Sequence, residues 1–238
     1  MNAPPRDLVF AGGALRYLPD RVLEPGEALF DPAQPSARPV GTGGRQAAWY
    51  MCIPGLGAAV LRHYRRGGLV ARLSRDRYFW TGAARTRSFA EFDLLYFMHE
   101  KGLPVPEPLA ASYWRARFIY RAALITELIP NASTLAGALE RCPAGPVAGA
   151  IYTMHEAGVW HADLNAFNIL IDGEGKVWLV DFDRGRRCVM GPGRREANLL
   201  RLRRSLIKTA GAAGERAWEE INRAYGVLAA GSKAENAL

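Results

Sequence analysis

Apolar positions in the first forty residues come in short pieces, Leu8 to Phe10 and Ala14 to Tyr17, broken by proline and glycine. That pattern predicts edge strands and turns. From Gly41 to Tyr78 the spacing predicts glycine-punctuated strands over Ala47 to Ile53, Ala58 to Tyr64 and Leu69 to Leu73. A helix is predicted over Ser88 to Lys101: it opens on Ser88-x-x-Glu91, sets Phe92, Leu95 and Tyr96 on one face, and stops at Gly102 and Pro104. Beyond the proline-rich Leu103 to Pro108, two strands follow, Ala110 to Trp114 and Arg117 to Ile129, with a turn at Pro130-Asn131. Short helices are expected at Ser133 to Leu139 and Pro146 to Ala157, the second closed by Gly158. Strands Ile169 to Ile171 and Val177 to Val180 make a hairpin around Asp172-Gly173-Glu174-Gly175, and from Arg194 the chain reads as helix. The order predicts an α+β chain in two lobes. The N-terminal lobe, residues 1–129, is small and β-rich with one helix; the C-terminal lobe, 130–238, is mostly helical, with a hinge near Ile129 to Ser133.

Composition narrows the class. Of 238 residues 49% are apolar and 23% charged, the balance of a globular chain rather than a disordered one. No apolar run approaches the ~18 residues of a spanning helix, and Met1 to Phe10, with Pro4-Pro5, predicts no secretory signal. Cys52, Cys142 and Cys188 form no CxxC pair, which argues against a disulfide framework or structural zinc and for a reducing, cytosolic setting. The formal net charge of +8 calls for an anionic partner. Nucleic acid is not expected, because the chain has no helix-turn-helix, zinc-finger or RNP-like pattern.

The chemistry lies in His161-Ala162-Asp163-Leu164-Asn165-Ala166-Phe167-Asn168, followed after the hairpin by Asp181-Phe182-Asp183. These segments resemble the protein-kinase catalytic loop H-x-D-L-x-x-x-N and the metal-binding D-F-G. Phosphoryl transfer depends on positioning and charge neutralisation. The resemblance therefore implies Asp163 as catalytic base, with Asn168 and Asp181 as oxygen donors to the Mg²⁺ of ATP. It gives His161 a supporting place in the loop, and His63, His99 and His155 are read as structural. Four further elements follow from it. Gly41, Gly43 and Gly44 read either as the loop over the nucleotide phosphates or as a plain hairpin turn. Ala59-Val60-Leu61-Arg62 stands where protein kinases carry V-A-I-K, so Arg62, or else Arg65 or Arg66, takes the lysine's place against the phosphates. Glu91 is either the partner of that cation or part of a capping box. Thr126-Glu127-Leu128-Ile129 is the expected adenine-binding hinge, with nucleotide contacts at Glu127 and Leu128.

A narrower resemblance rests on His161 to Asp172 (HADLNAFNILID), Leu179 to Arg186 (LVDFDRGR) and Leu61 to Trp80 (LRHYRRGGLVARLSRDRYFW). These are similar to the lipopolysaccharide core kinase family of Gram-negative bacteria, within the protein-kinase superfamily. Asp183 in place of the usual glycine fits that family, and no A-P-E or long activation loop follows. The resemblance implies a bilobal kinase-like fold and a transferase that phosphorylates the 4-hydroxyl of a 3-deoxy-D-manno-octulosonic acid (Kdo) residue on a lipid A precursor. It implies ATP and Mg²⁺ as cofactors and a peripheral position on the anionic cytoplasmic face of the inner membrane. Arg65, Arg66, Arg72, Arg184 and Arg186 are candidate contacts to substrate or membrane, and Arg201, Arg203, Arg204 and Lys208 continue the basic series on a helix. About half of these arginines are expected to form a solvated face. Tyr78, Phe79 and Trp80 read as core, or as membrane-interface aromatics. The alternatives are a kinase for another sugar or a protein acceptor, such as a core heptose kinase or an atypical Ser/Thr kinase, and a nucleotide-binding pseudokinase.

Overall fold

The computed structural model describes residues 3–35, 37–40, 48–53, 55–65 and 76–235, with side chains described as far as residue 231. The predicted glycine triplet Gly41, Gly43 and Gly44, the strand Leu69 to Leu73, and Arg66 and Arg72 lie outside the described residues. Internal contacts divide the chain into two compact units, Met1–Tyr96 with Glu107–Leu128, and Phe97–Pro106 with Ile129–Leu238.

The first unit is built on one antiparallel sheet. Its strands are β1 (Arg6–Phe10), β2 (Gly13–Tyr17), β3 (Arg38–Pro39), β4 (Ala48–Ile53), β5 (Gly57–His63), β6 (Tyr78–Phe79), β7 (Pro108–Ala116) and β8 (Ile119–Glu127). They run in the order β1-β2-β7-β8-β5-β4-β3, with β6 also paired to β8. Alternate residues of the central strands, Leu15, Met51, Leu61, Leu109 and Ile125 among them, form a buried core on one face. Each such side chain taken out of water contributes about 1.5–3 kcal/mol. Of the aromatic run Tyr78-Phe79-Trp80, Tyr78 is buried and Trp80 packs against Tyr113 and Tyr120, whereas Phe79 is exposed.

Helix α1 (Arg87–Glu100) buries Phe89, Phe92, Leu95 and Met98 at helical spacing. Its start differs from the expected capping box. The Thr86 carbonyl already accepts the first helical bond from the Ala90 N–H, 2.9 Å, so the helix begins one residue earlier. Ser88 Oγ is buried with no hydrogen-bond partner among the described residues, and the Glu91 carboxylate turns to Arg62 and Tyr64.

The second unit holds β9 (Ser133–Thr134), α2 (Ala144–Glu156), β10 (Val159–Trp160), β11 (Ile169–Ile171), β12 (Val177–Leu179), β13 (Arg186–Arg187) and α3 (Pro192–Glu235). A helix expected at Ser133 to Leu139 is instead β9 followed by short 3-10 turns. Ser133 and Thr134 pair with Ile171 and Leu170 of β11, and Thr134 Oγ1 accepts from the Gly137 N–H. So short a segment has too few helical bonds to offset nucleation once the sheet and the cap have claimed its polar groups. Helix α2 buries Val147, Ala148, Ile151, Met154 and His155, a stripe at helical spacing.

The helical remainder of the chain is two helices in one. Ala210 (φ −139°) and Gly211 (φ +53°) leave helical geometry and fold α3 back on itself. Leu199, Leu202 and Leu206 are buried on the first half, and Ala217, Ile221 and Tyr225 on the second. The return is tight: a Cβ placed on Gly214 would stand 2.0 Å from the Leu206 carbonyl oxygen. Gly214→Ala should therefore destabilise the protein by about 1–3 kcal/mol, the range of overpacking against backbone that cannot yield. Gly226→Ala, which meets nothing within 4 Å, should be neutral or stabilising by up to ~1 kcal/mol. Urea unfolding of the two variants side by side checks this.

Candidate active site

The hairpin β11–β12 sets the geometry of the catalytic segment. Asp172 makes its turn: Oδ1 accepts from the N–H groups of Glu174 and Lys176, both 3.0 Å, and Oδ2 accepts from Trp178 Nε1 at 2.8 Å. Gly175, at φ +84°, supplies the left-handed residue. Because Ile169 pairs with Leu179, the residues at the open end are Asn168 and Val180, and the Val180 N–H donates to the Asn168 carbonyl at 3.0 Å. Asp181 comes next in the chain, exposed and in the left-handed region at φ +61°. Phe182 behind it is fully buried, its ring 4.5 Å from the His161 ring. The Phe182 carbonyl accepts from the Gly185 N–H to close the following turn. Asp181 is thus carried between two anchored neighbours at the end of the hairpin that also carries Asn168.

Asn165 holds the loop together from inside. Its Nδ2 donates to the Asp163 carbonyl, 3.1 Å, and to Asp163 Oδ1, 3.0 Å, while its Oδ1 accepts from the N–H groups of Phe167 and Asn168. Asn168 Nδ2 donates to the Asp163 carbonyl at 2.9 Å, which turns the Asn168 amide oxygen the other way. A neutral amide oxygen and a carboxylate are hard oxygen donors of the kind Mg²⁺ takes together with nucleotide phosphates, so Asn168 and Asp181 fit that ion chemically.

Helix α3 grips the same loop along one face. Asn198 Nδ2 donates to the His161 carbonyl, 2.7 Å, and Asn198 Oδ1 accepts from the His161 N–H, 3.3 Å. Ser205 Oγ accepts from the Ala166 N–H at 3.1 Å. Between them, Arg201 places Nε and Nη2 at 2.8 and 2.5 Å from Asp163 Oδ1. Sequence reasoning counted Arg201 only within a basic run on a helix; its partner lies 38 residues away, and nothing local announces it. Burial pulls the Asp163 carboxyl upward, but the hydrogen bonds from Asn165 and Arg201, with the charge of Arg201, outweigh it and hold it below the ordinary carboxylate value. Both side chains of the Arg201–Asp163 pair are nearly half exposed, 45% and 48%, so the pair contributes only about 0–1 kcal/mol to stability.

Two buried histidines back this arrangement, and their tautomers follow from partners of fixed polarity. His161 Nδ1 accepts from the Asp163 N–H, so its Nε2 carries the proton and donates to the Val180 carbonyl at 3.1 Å. His155 lies against Asn198 Oδ1 through Nε2, 3.2 Å, and against the Tyr225 hydroxyl through Nδ1, 2.8 Å. The amide oxygen can only accept, so Nε2 donates and Nδ1 accepts from Tyr225. Burial is the leading cause that pushes both histidines down, His155 to about 4. His155, read from sequence as structural without a partner, is in fact a member of the network behind the catalytic loop.

In the first unit, Arg62 on β5 donates from Nη2 to Glu91 Oε2 at 2.5 Å, and the Tyr64 hydroxyl donates to the same oxygen at 2.6 Å. The geometry chooses Arg62 as the partner of Glu91, while Arg65 is exposed beside the Trp49 ring. At the expected hinge the Glu127 N–H donates to the Glu107 carbonyl and the Leu128 N–H to the Ala58 carbonyl. Both amides are engaged within the first unit, so a base read there would meet carbonyls or residues beyond Leu128. Arg184, at φ +63°, and Arg186 are exposed, and the Arg186 guanidinium lies 4.9 Å from the Trp160 ring centroid. All three cysteines are free, and among the described residues no helix is long and apolar enough to cross a membrane.

An α+β chain with an arginine–glutamate pair on its sheet and helix, and an Asp163–Asn168–Asp181 constellation on a loop and hairpin, defines a protein-kinase-like phosphotransferase. Residues 33–225 match the model of the Lipopolysaccharide kinase (Kdo/WaaP) family, and the chain belongs to that family. It is 48% identical over 219 residues to the 3-deoxy-D-manno-octulosonic acid kinase of Stenotrophomonas maltophilia (strain R551-3), covering 90% of this chain and 86% of that protein. It is 46% identical over 219 residues to the protein of the same name from Xanthomonas campestris pv. campestris (strain B100), with the same coverage of both chains.

The His155 shift has a consequence for stability. The unfolded histidine takes up its proton near pH 6.5, whereas the folded one resists until about pH 4. Between those values the unfolded state holds more protons, so stability is full above pH 6.5 and falls as the pH drops, by about 3 kcal/mol across the window. His161, shifted the same way, adds to the slope. Urea unfolding from pH 4 to 7 should show this loss, and His155→Gln should flatten it.

Proposed function

We propose that this chain transfers the γ-phosphoryl group of ATP to the 4-hydroxyl of a Kdo residue on a lipid A precursor, in assembly of the lipopolysaccharide core. Membership of the family and the activity named for its relatives support the substrate class. The observation that carries the chemistry is the closure of Asn168 on Val180, which sets Asp181 beside the loop that presents Asp163.

Asp163 accepts a hydrogen bond from the 4-hydroxyl and directs its oxygen at the γ-phosphorus. The new O–P bond forms as the bond from phosphorus to the β–γ bridging oxygen breaks, ADP leaves, and the hydroxyl proton passes to Asp163. Asn168 and Asp181 would hold Mg²⁺, which when bound would supply charge neutralisation for the nucleotide phosphates. Arg62, fixed by Glu91, supplies a cation for the nucleotide phosphates. The Glu127–Leu128 segment takes the base. The enzyme works peripherally at the anionic cytoplasmic face of the inner membrane. Its exposed arginines, Arg65, Arg184 and Arg186, face lipid phosphate, and Val189, 84% exposed and three residues beyond Arg186, offers an apolar tip.

Transfer of labelled γ-phosphate from ATP to a Kdo-lipid A precursor tests this. Asp163→Ala should lower kcat by about 10²–10⁴-fold, the worth of a general base, with ATP affinity little changed. Asp181→Ala should remove Mg²⁺-dependent ATP binding. Turnover retained by Asp163→Ala would refute the base, and transfer to a heptose or protein acceptor instead would refute the substrate.

A further inference from the structure

We propose that Arg201 is a positioning residue of this phosphoryl transfer: it fixes the Asp163 carboxylate in one orientation and offsets its negative charge where the triphosphate must approach. The inference rests on the reading of Asp163 as the base.

Three donors converge on a single oxygen. Arg201 Nε at 2.8 Å, Arg201 Nη2 at 2.5 Å and Asn165 Nδ2 at 3.0 Å all reach Asp163 Oδ1. Among the described residues, every hydrogen bond on this carboxylate falls on Oδ1. The group is thereby fixed about its last torsion, with Oδ2 as the oxygen that meets the acceptor hydroxyl. Fold stability gives no reason for the pair, since ion pairs this exposed contribute little.

Electrostatics does give one. A carboxylate that binds the attacking hydroxyl stands close to the γ-phosphoryl group, and the two repel. Their approach calls for a positive charge on the far side of the base. The loop has none of its own, because the residue two beyond Asp163 is the neutral Asn165, and the loop continues Ala166-Phe167-Asn168. The cation comes from α3 instead. Its register is set by Asn198 on His161 and Ser205 on Ala166, three residues before Arg201 and four after, so the guanidinium is delivered by a helix anchored on both sides. The fork of Arg201 also retains Nη1, which leaves it able to hold the base and still face an anion.

Steady-state kinetics of wild type, Arg201→Ala and Arg201→Lys test the proposal, with Arg216→Ala on the outer part of α3 as a control that keeps wild-type kcat. Arg201→Ala should lose kcat roughly 10- to 100-fold, less than the ~10²–10³-fold that follows loss of a fully enclosed electrostatic donor, with KM for ATP and acceptor within about threefold. Added guanidinium ion should restore part of the lost kcat, Arg201→Lys should fall between, and thermal stability should not move. In an Asp163→Asn background the Arg201→Ala change should cost no further activity. Undiminished kcat, a loss confined to acceptor KM, or an equal loss in the Asp163→Asn background would overturn the proposal. ATP hydrolysis without acceptor, in which water takes the hydroxyl's place, should show the same dependence on Arg201. A wild type that hydrolyses ATP but phosphorylates no Kdo acceptor overturns the substrate assignment and leaves Arg201 to be judged on hydrolysis. A wild type with neither activity overturns both.

Discussion

Asn198 spans both backbone polar groups of His161 with one side-chain amide, and accepts from His155 as well. It is 2% exposed, so each of these groups would otherwise be a buried donor or acceptor without water to satisfy it, a penalty of about 1–3 kcal/mol apiece. A helix turns such a fixed point into a ruler. With 3.6 residues to a turn, positions three and seven further on lie along the same face, and those positions are Arg201 and Ser205. The catalytic loop is therefore located by three contacts, on His161, Asp163 and Ala166, that all derive from one helical register. The break at Ala210 and Gly211 completes the device, because it returns the chain so that Tyr225 donates to His155 from behind.

The hairpin solves the complementary problem. Asn168 and Asp181 are far enough apart in sequence that a flexible connection would leave their separation open. Asp172 accepts three hydrogen bonds within the turn and keeps its carboxyl below the ordinary value, with the Trp178 bond as the leading cause. The register so fixed is transmitted through Ile169–Leu179 to the closure of Val180 on Asn168. His161 then ties the catalytic loop to the same point through the Val180 carbonyl. Two independent supports, helix and hairpin, thus meet at His161.

What could be read from the sequence divides along the same line. The catalytic loop, the hairpin turn, α1 and the strands β4, β5, β11 and β12 carry their signals within a few residues: a motif, an Asp-Gly turn, a helical or alternating period. The two-residue strands β6, β10 and β13 carry none, since they exist only through partners such as Tyr120 for Tyr78 or Arg187 for Val159. The helix expected at Ser133 to Leu139 failed for that reason, its backbone being claimed by β11. Asn198, Arg201, His155 and Tyr225 act across 37 to 70 residues of chain. An arginine on a helix looks the same in sequence whether it faces water or a carboxylate held on a distant loop.

The arginine at position 62 shows how a departure from a motif becomes intelligible through its neighbours. Glu91 is 2% exposed on its side chain, and a carboxylate so deeply placed needs both charge and hydrogen bonds. Arg62, near the end of β5, and Tyr64, just beyond the strand, both donate to Glu91 Oε2. The Arg62 guanidinium also lies over the Tyr64 ring at 4.8 Å. A planar cation can stack on the ring while one nitrogen holds the carboxylate. A lysine at this place would offer a point charge without the flat face that Tyr64 supports. The substitution and the tyrosine therefore belong to one arrangement, in which Arg62 and Tyr64 together hold the buried Glu91 carboxylate.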